Sequence, residues 1–123
     1  MAKSIPYVAV MTASLSGSGN GSMSFQNSSG QRFIIHNILH KKTGACNITD
    51  ISNNSSQRFS NASPSTPLDI EAFPDITAEN DSLRDLPIPL ELMGQESLRI
   101  SLTDTSTSSN TVFIYLVGEL VLG

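Results

Sequence analysis

The sequence predicts an all-β fold: a two-sheet antiparallel β-sandwich, jelly-roll-like, with about eight short strands. Three observations predict it. First, the 123 residues include 20 Ser, 9 Thr and 9 Asn. Ser, Thr and Asn compete with helical backbone bonds, while Thr suits strands and Ser and Asn suit turns. Second, apolar residues alternate in short runs, such as Leu98, Ile100 and Leu102, and turn residues separate the runs at intervals of roughly 8–12 residues. Third, a single sheet of eight strands could not cover its own apolar faces, so two packed sheets are preferred. A chain of this length is one domain and buries about two thirds of its unfolded surface without staples.

Taken in order, Tyr7 to Leu15 reads as a first extended segment. Residues 1–21 thus comprise an N-terminal arm, this strand and most of a flexible Ser/Gly loop that runs from Ser16 to Ser22. Met23 to Phe25 suggests a short strand, and Asn27 to Gly30 a turn. Arg32 to His40 is the first strong strand. Phe33, Ile35, Asn37 and Leu39 take one face and Ile34, His36, Ile38 and His40 the other, so both faces are expected to be covered. Lys41 to Gly44 has the length of a hairpin turn, after which Ala45 to Ile51 returns as a strand. Gln57 to Ser60 is a further short candidate.

Residues 60–85 differ. Pro64, Pro67 and Pro74 reject a central strand or a long helix. Leu68, Ile70 and Ala72 fit an edge strand, and Asp81 to Asp85 a helical turn. This Pro-rich acidic excursion is where a specific contact is expected. Ile88, Leu90 and Leu92 alternate, with Pro87 and Pro89 on the opposite parity. Two prolines at that spacing remove donors on one side, as an edge strand allows. Leu98 to Thr103 reads as a half-buried strand. Thr111 to Leu122, apolar on both faces up to Gly118, reads as a central one.

Net charge is −4 and the sequence pI about 4.9. Only Lys41 and Lys42 are adjacent basic residues, so the basic face of a nucleic-acid binder is missing. The charge is uneven. Five basic residues against Asp50 leave residues 1–60 at +4, and Arg84 and Arg99 against ten acids leave residues 61–123 at −8. Such a dipole suits packing against copies of itself or steering toward a charged partner. The single cysteine, Cys46, permits no intrachain disulfide and is expected to be a buried small hydrophobe. The apolar stretch after Lys3 is short and interrupted by Pro6, which argues against a signal peptide. The seven N-x-S/T sequons are then expected to be incidental. No run approaches the ~18 apolar residues of a membrane span.

Chemistry-bearing patterns are weak. His36 and His40 on one strand face would stand about 13 Å apart, too far for one metal. Serine is abundant, but no nucleophile elbow frames one. Asp69/Glu71 and Asp81/Asp85 lack the loop of a calcium site and read as a solvated face. Gly17, Gly19 and Gly21 lack the spacing and lysine of a phosphate cradle. No catalytic residue, cofactor or metal site is expected. Tyr115 is expected to face the core with its hydroxyl at a partner.

The order of segments resembles a family, the capsid cement or decoration proteins of tailed bacteriophages, which are small jelly-roll virion proteins. The residues that carry the likeness are Phe33-Ile34-Ile35-His36-Asn37-Ile38, then Leu86-Pro87-Ile88-Pro89-Leu90. They continue with Gly94 feeding Ser97-Leu98, Ile100, Leu102 and Asp104, and end with Asn110 through Gly118. The likeness covers roughly residues 22–123. It implies a non-enzymatic virion subunit on the capsid exterior, made in the host cytoplasm. Such a subunit bridges major capsid subunits, gains from multivalency and self-associates as a dimer or trimer. No nucleic-acid or membrane partner is implied. The expected capsid or self interface is the arm, with Ile5 and Tyr7, and the excursion, with Phe73, Leu83 and Leu86. The competing expectation is a phage head-fibre, spike or tail component that binds a host glycan or receptor.

Overall fold

The computed structural model describes residues 3–17, 19–53, 59–76, 86 and 88–122. Among them lie eight strands: β1 (Lys3–Leu15), β2 (Asn20–Gln26), β3 (Arg32–Lys42), β4 (Cys46–Asn53), β5 (Leu68–Asp69), β6 (Leu90–Leu92), β7 (Ser97–Asp104) and β8 (Asn110–Leu122). They form two four-stranded sheets, ordered β1-β8-β3-β6 and β2-β7-β4-β5. The pairing is nested and antiparallel: β1 with β8, β2 with β7, β3 with β6, β4 with β5. That nesting is a jelly roll, in which a long hairpin wraps so that its two halves fall into facing sheets.

The core lies between the sheets. Phe33, Ile35, Val112, Ile114 and Leu116 come from one sheet, and Ile48, Leu98, Ile100 and Leu102 from the other. Each contributes ~1.5–3 kcal/mol through burial of apolar surface. The expected half-buried β7 is seen, with Leu98, Ile100 and Leu102 buried and Arg99 exposed. The proline-bearing segment ends in β6, which pairs only with β3 and so lies at an edge; Pro87 lies outside the described residues. β8 is central, between β1 and β3.

Several expectations change. The alternation along β3 breaks at a bulge between Ile35 and Asn37. One extra residue flips the side-chain parity, so Ile38 and His40 point inward together with Phe33 and Ile35. The two apolar faces read from the sequence are therefore one inner face, continued across a slip. His36 and His40 do not share a face: His40 is fully buried and His36 is partly exposed. Gly118 makes the bulge possible. A Cβ there would lie 1.8 Å from the Ile34 carbonyl oxygen, so only glycine lets β3 approach β8 this closely. β4 carries a matching shift between Ile48 and Asp50, which turns both Ile48 and Ile51 inward.

The turn after β3 does not close a hairpin. β4 pairs with β7 and β5 in the opposite sheet, so Thr43 to Ala45 crosses between sheets. Buried Asn110 holds that crossing. Its Oδ1 accepts from the Gly44 N–H at 2.9 Å, and its Nδ2 donates to the Gly44 carbonyl at 2.8 Å. The expected edge strand from Leu68 to Ala72 is shorter. β5 holds two residues, and Ile70–Ala72 is a 3₁₀ turn capped by Asp69, whose side chain accepts from the Glu71 N–H. Phe59 lies in a bend, and the candidate strand residues Gln57 and Arg58 and the helical turn at Asp81 to Asp85 lie outside the described residues.

Candidate functional site: the outer face of β1, β8 and β3

Alternation sends every second residue of a sheet away from the core. On β1 these are Val8 and Val10, both 55% exposed. Antiparallel register sets them beside β8 and β3. Val10 pairs with Tyr115, which pairs with Leu39; Val8 pairs with Val117, which pairs with Asn37. One row is thus apolar across all three strands on the outside, and its neighbour is apolar on β1 and β8 and ends in Asn37 on β3. A third row, Thr12, Phe113 and Lys41, extends them. The rings of Phe113 and Tyr115 lie near-parallel, with centroids 6.5 Å apart, and the Lys41 ammonium sits 5.7 Å from the Phe113 centroid.

Polar groups border this band at the far end of the strands. Glu119 accepts from Ser4 Oγ at 3.1 Å and stands 3.2 Å from His36 Nε2. Arg32 Nε lies 3.3 Å from Glu91 Oε1. The result is an apolar centre beside a charged rim, the usual anatomy of a protein interface. The whole outer face of these three strands, about 4.8 Å apart and roughly 40 Å long with its polar ends included, spans on the order of 600 Å². That is comparable with the ~800 Å² that one partner gives to a specific interface.

Of the residues expected at an interface, Ile5, Tyr7, Phe73 and Leu86 do not lie on this outer face. Lys3 to Tyr7 is not a free arm, because it pairs with Leu122 to Gly118 as the outer end of β1. Ile5 and Tyr7 share the inner side of β1 with the buried Ala9 and Met11. Ile5 is 37% exposed, and the Tyr7 ring meets Phe33 edge-on at 5.1 Å. Phe73 and Leu86 pack against the core. With Phe59, Leu68, Ile88 and Leu90 they line a hollow of about 250 Å³. The structure thus brings Phe73 and Leu86 together, away from Ile5 and Tyr7. Leu83 lies outside the described residues.

Tyr115 lies on the outer face of β8, alternating with the buried Ile114 and Leu116, and not in the core. The signal for the outer band lies in the apolar run Val112 to Val117, but an unbroken apolar run fits a strand covered on both sides equally well. Val8 and Val10 were hidden within a strand whose inner residues are equally apolar.

Cys46 is buried and free, and burial pushes its thiol up to about 11, so it is a poor nucleophile where it stands. Asp104 is held below the usual carboxylate range by the Ser106 hydroxyl, which donates to it at 2.6 Å. It thereby fastens the loop between β7 and β8. No helix among the described residues is long and apolar enough to cross a membrane. No protein-family model and no curated protein matches this sequence.

Proposed function

We propose that this chain is a structural virion protein, a capsid cement subunit that lays the outer face of β1, β8 and β3 on major capsid subunits of a phage head. The apolar band of Val8, Val10, Leu39, Tyr115 and Val117 carries the reading. Val8 and Val10, on one face of β1, are each 55% exposed, and an apolar patch with a polar rim is the kind of surface that associates. The jelly-roll topology supports it by analogy, since viral capsid domains commonly use that roll. The mechanism is burial and multivalency: a weak grip on each of two capsomers becomes strong when both are held at once. Self-association as a dimer or trimer would multiply the grips.

The second reading is a head-fibre, spike or tail component that binds a host glycan. A hollow of about 330 Å³ on the opposite sheet, lined by Asn20, Ser22, Thr49, Arg99 and Ser101 among others, favours it. No aromatic ring lines that hollow, so the stacking that often holds a sugar is missing there.

Co-sedimentation with mature shells that lack the protein tests the choice. The cement reading expects saturable binding at a fixed ratio to capsid subunits and a raised shell melting temperature. Val10→Asp should abolish both while the purified subunit stays folded. Failure of the wild-type protein to bind shells would overturn the cement reading.

A further inference from the structure

The docking band leaves one cluster of chemistry-bearing groups unused. His40 lies on the inner side of β3 with no exposed surface, and both of its ring nitrogens lack a hydrogen-bond partner. A buried polar atom without a partner is costly, so the position asks for one. Nε2 points between two carboxylates. It is 3.7 Å from Glu71 Oε1 and 3.7 Å from Asp75 Oδ2, beyond hydrogen-bond range of either.

These groups are held in place by backbone bonds. The His40 N–H donates to the Pro74 carbonyl at 2.9 Å, and the Ile76 N–H donates to the His40 carbonyl at 3.0 Å. Asp75 is thereby fixed beside His40. Glu71 sits in the 3₁₀ turn, which Asp69 caps and the fully buried Ile70 anchors. The three ligand atoms all lie within 4.8 Å of one another. Ligands bound to zinc at ~2.0–2.2 Å stand roughly 3.4 Å apart in a tetrahedron, so His40 need move only a few tenths of an ångström toward each carboxylate, while the two carboxylates close by up to about 1.4 Å through side-chain rotation.

We propose that His40, Glu71 and Asp75 form a binding site for a divalent transition-metal cation of the Zn²⁺ type. His40 Nε2 and one oxygen of each carboxylate are the ligands, and a fourth position is open to water. One imidazole with two carboxylates suits zinc better than calcium, which takes oxygen ligands throughout, or copper(I), which prefers sulfur. Lys42 marks the same charge niche. Its ammonium contacts the Glu71 carboxylate and stands 3.7 Å from Asp75 Oδ2, so metal and ammonium compete for the same oxygens. Binding would release Lys42 toward solvent and tie the 70–76 segment to β3.

The test is calorimetric titration of the chelator-stripped full chain with ZnCl₂, with thermal melts in parallel. One zinc per chain and a melting temperature that rises with zinc and falls back with EDTA are expected. Glu71→Gln, at a half-exposed position where the amide keeps the side chain's shape, should weaken binding at least ~10-fold. Lys42→Met should tighten it, because the competing cation is gone. His36→Asn, on the surface pair with Glu119, should leave it unchanged. Cobalt(II) should give a visible absorption band that His40→Asn removes. Stoichiometric binding absent below roughly 100 µM, or present but unaltered by Glu71→Gln, overturns the proposal. Weaker binding in Lys42→Met also overturns it, since Lys42 would then be the site's own cation.

Discussion

The outer faces of the two sheets are built on the same backbone geometry and differ row by row. On β1, β8 and β3 the outward residues of the middle rows are Val8, Val10, Leu39, Phe113, Tyr115 and Val117, together with Thr12, Asn37 and Lys41. On β2, β7 and β4 they are Ser22, Ser24, Ser52, Arg99, Ser101 and Thr103. The second face satisfies itself: Thr103 Oγ1 donates to Asn20 Oδ1 at 2.9 Å, and Ser52 Oγ to Asp50 Oδ2 at 2.8 Å. Folding requires only that the inner faces be apolar. An antiparallel sheet with one wet face normally alternates apolar and polar residues, as the second sheet does. The first sheet departs from that rule in its middle rows, where folding gains nothing, and the proposed docking rests on that departure.

The largest expected effect shows how far the two sheets are alike. Ile114→Ala on one inner face and Leu98→Ala on the other should each cost ~2–5 kcal/mol, measured by chemical denaturation, because both side chains are fully buried. A large inequality would mean that one sheet folds around the other, and the comparison of outer faces would lose its common baseline.

Next comes the bulge that gives β3 its single inner face. Gly118→Ala should cost ~1–3 kcal/mol by forcing β8 away from the Ile34 carbonyl. An unchanged melting temperature would show that the close approach is not needed. Outer-face changes should then separate stability from binding. Val10→Asp and Ser24→Asp should each shift stability by less than ~0.5 kcal/mol, as exposed substitutions do. Only Val10→Asp should remove shell binding. Equal loss by both would erase the distinction between the faces.

The smallest effect concerns the loop that links the sheets. The Ser106 hydroxyl holds the Asp104 carboxyl below its usual range. A carboxyl depressed in the folded state stabilises the fold above its unfolded pKa, and that contribution disappears as pH falls through the folded value. Wild-type stability should therefore decline below about pH 4, and Ser106→Ala should flatten the decline. An identical pH profile in the variant would remove Asp104 from this role.

Much of the fold was legible because period-two alternation and proline act locally. Leu98, Ile100 and Leu102 marked a half-buried strand, Pro87 and Pro89 an edge, and the run into Val117 a central strand. The faces of β3 were not legible. A bulge uses one residue without altering the apolar pattern, so Ile35 and Ile38 looked like opposite faces of a covered strand. The partner of β4 was equally hidden, because a four-residue polar turn serves a hairpin or a crossing alike until Asn110 is seen holding Gly44. Glu71 and Asp75 carried no spacing signal toward His40, since the excursion that brings them there returns through backbone bonds at Pro74 and Ile76.

By itself, the sequence determined the class of fold, the inner residues of β7, the proline-marked edge and the burial of Cys46. Each of these follows from local propensity or from the preference of apolar side chains for the interior. Tertiary structure alone decided which strands pair, where parity slips, which apolar residues are left outside and which acids surround His40. Those outcomes depend on register between segments distant in the chain, and alternation within one segment holds no record of its neighbour.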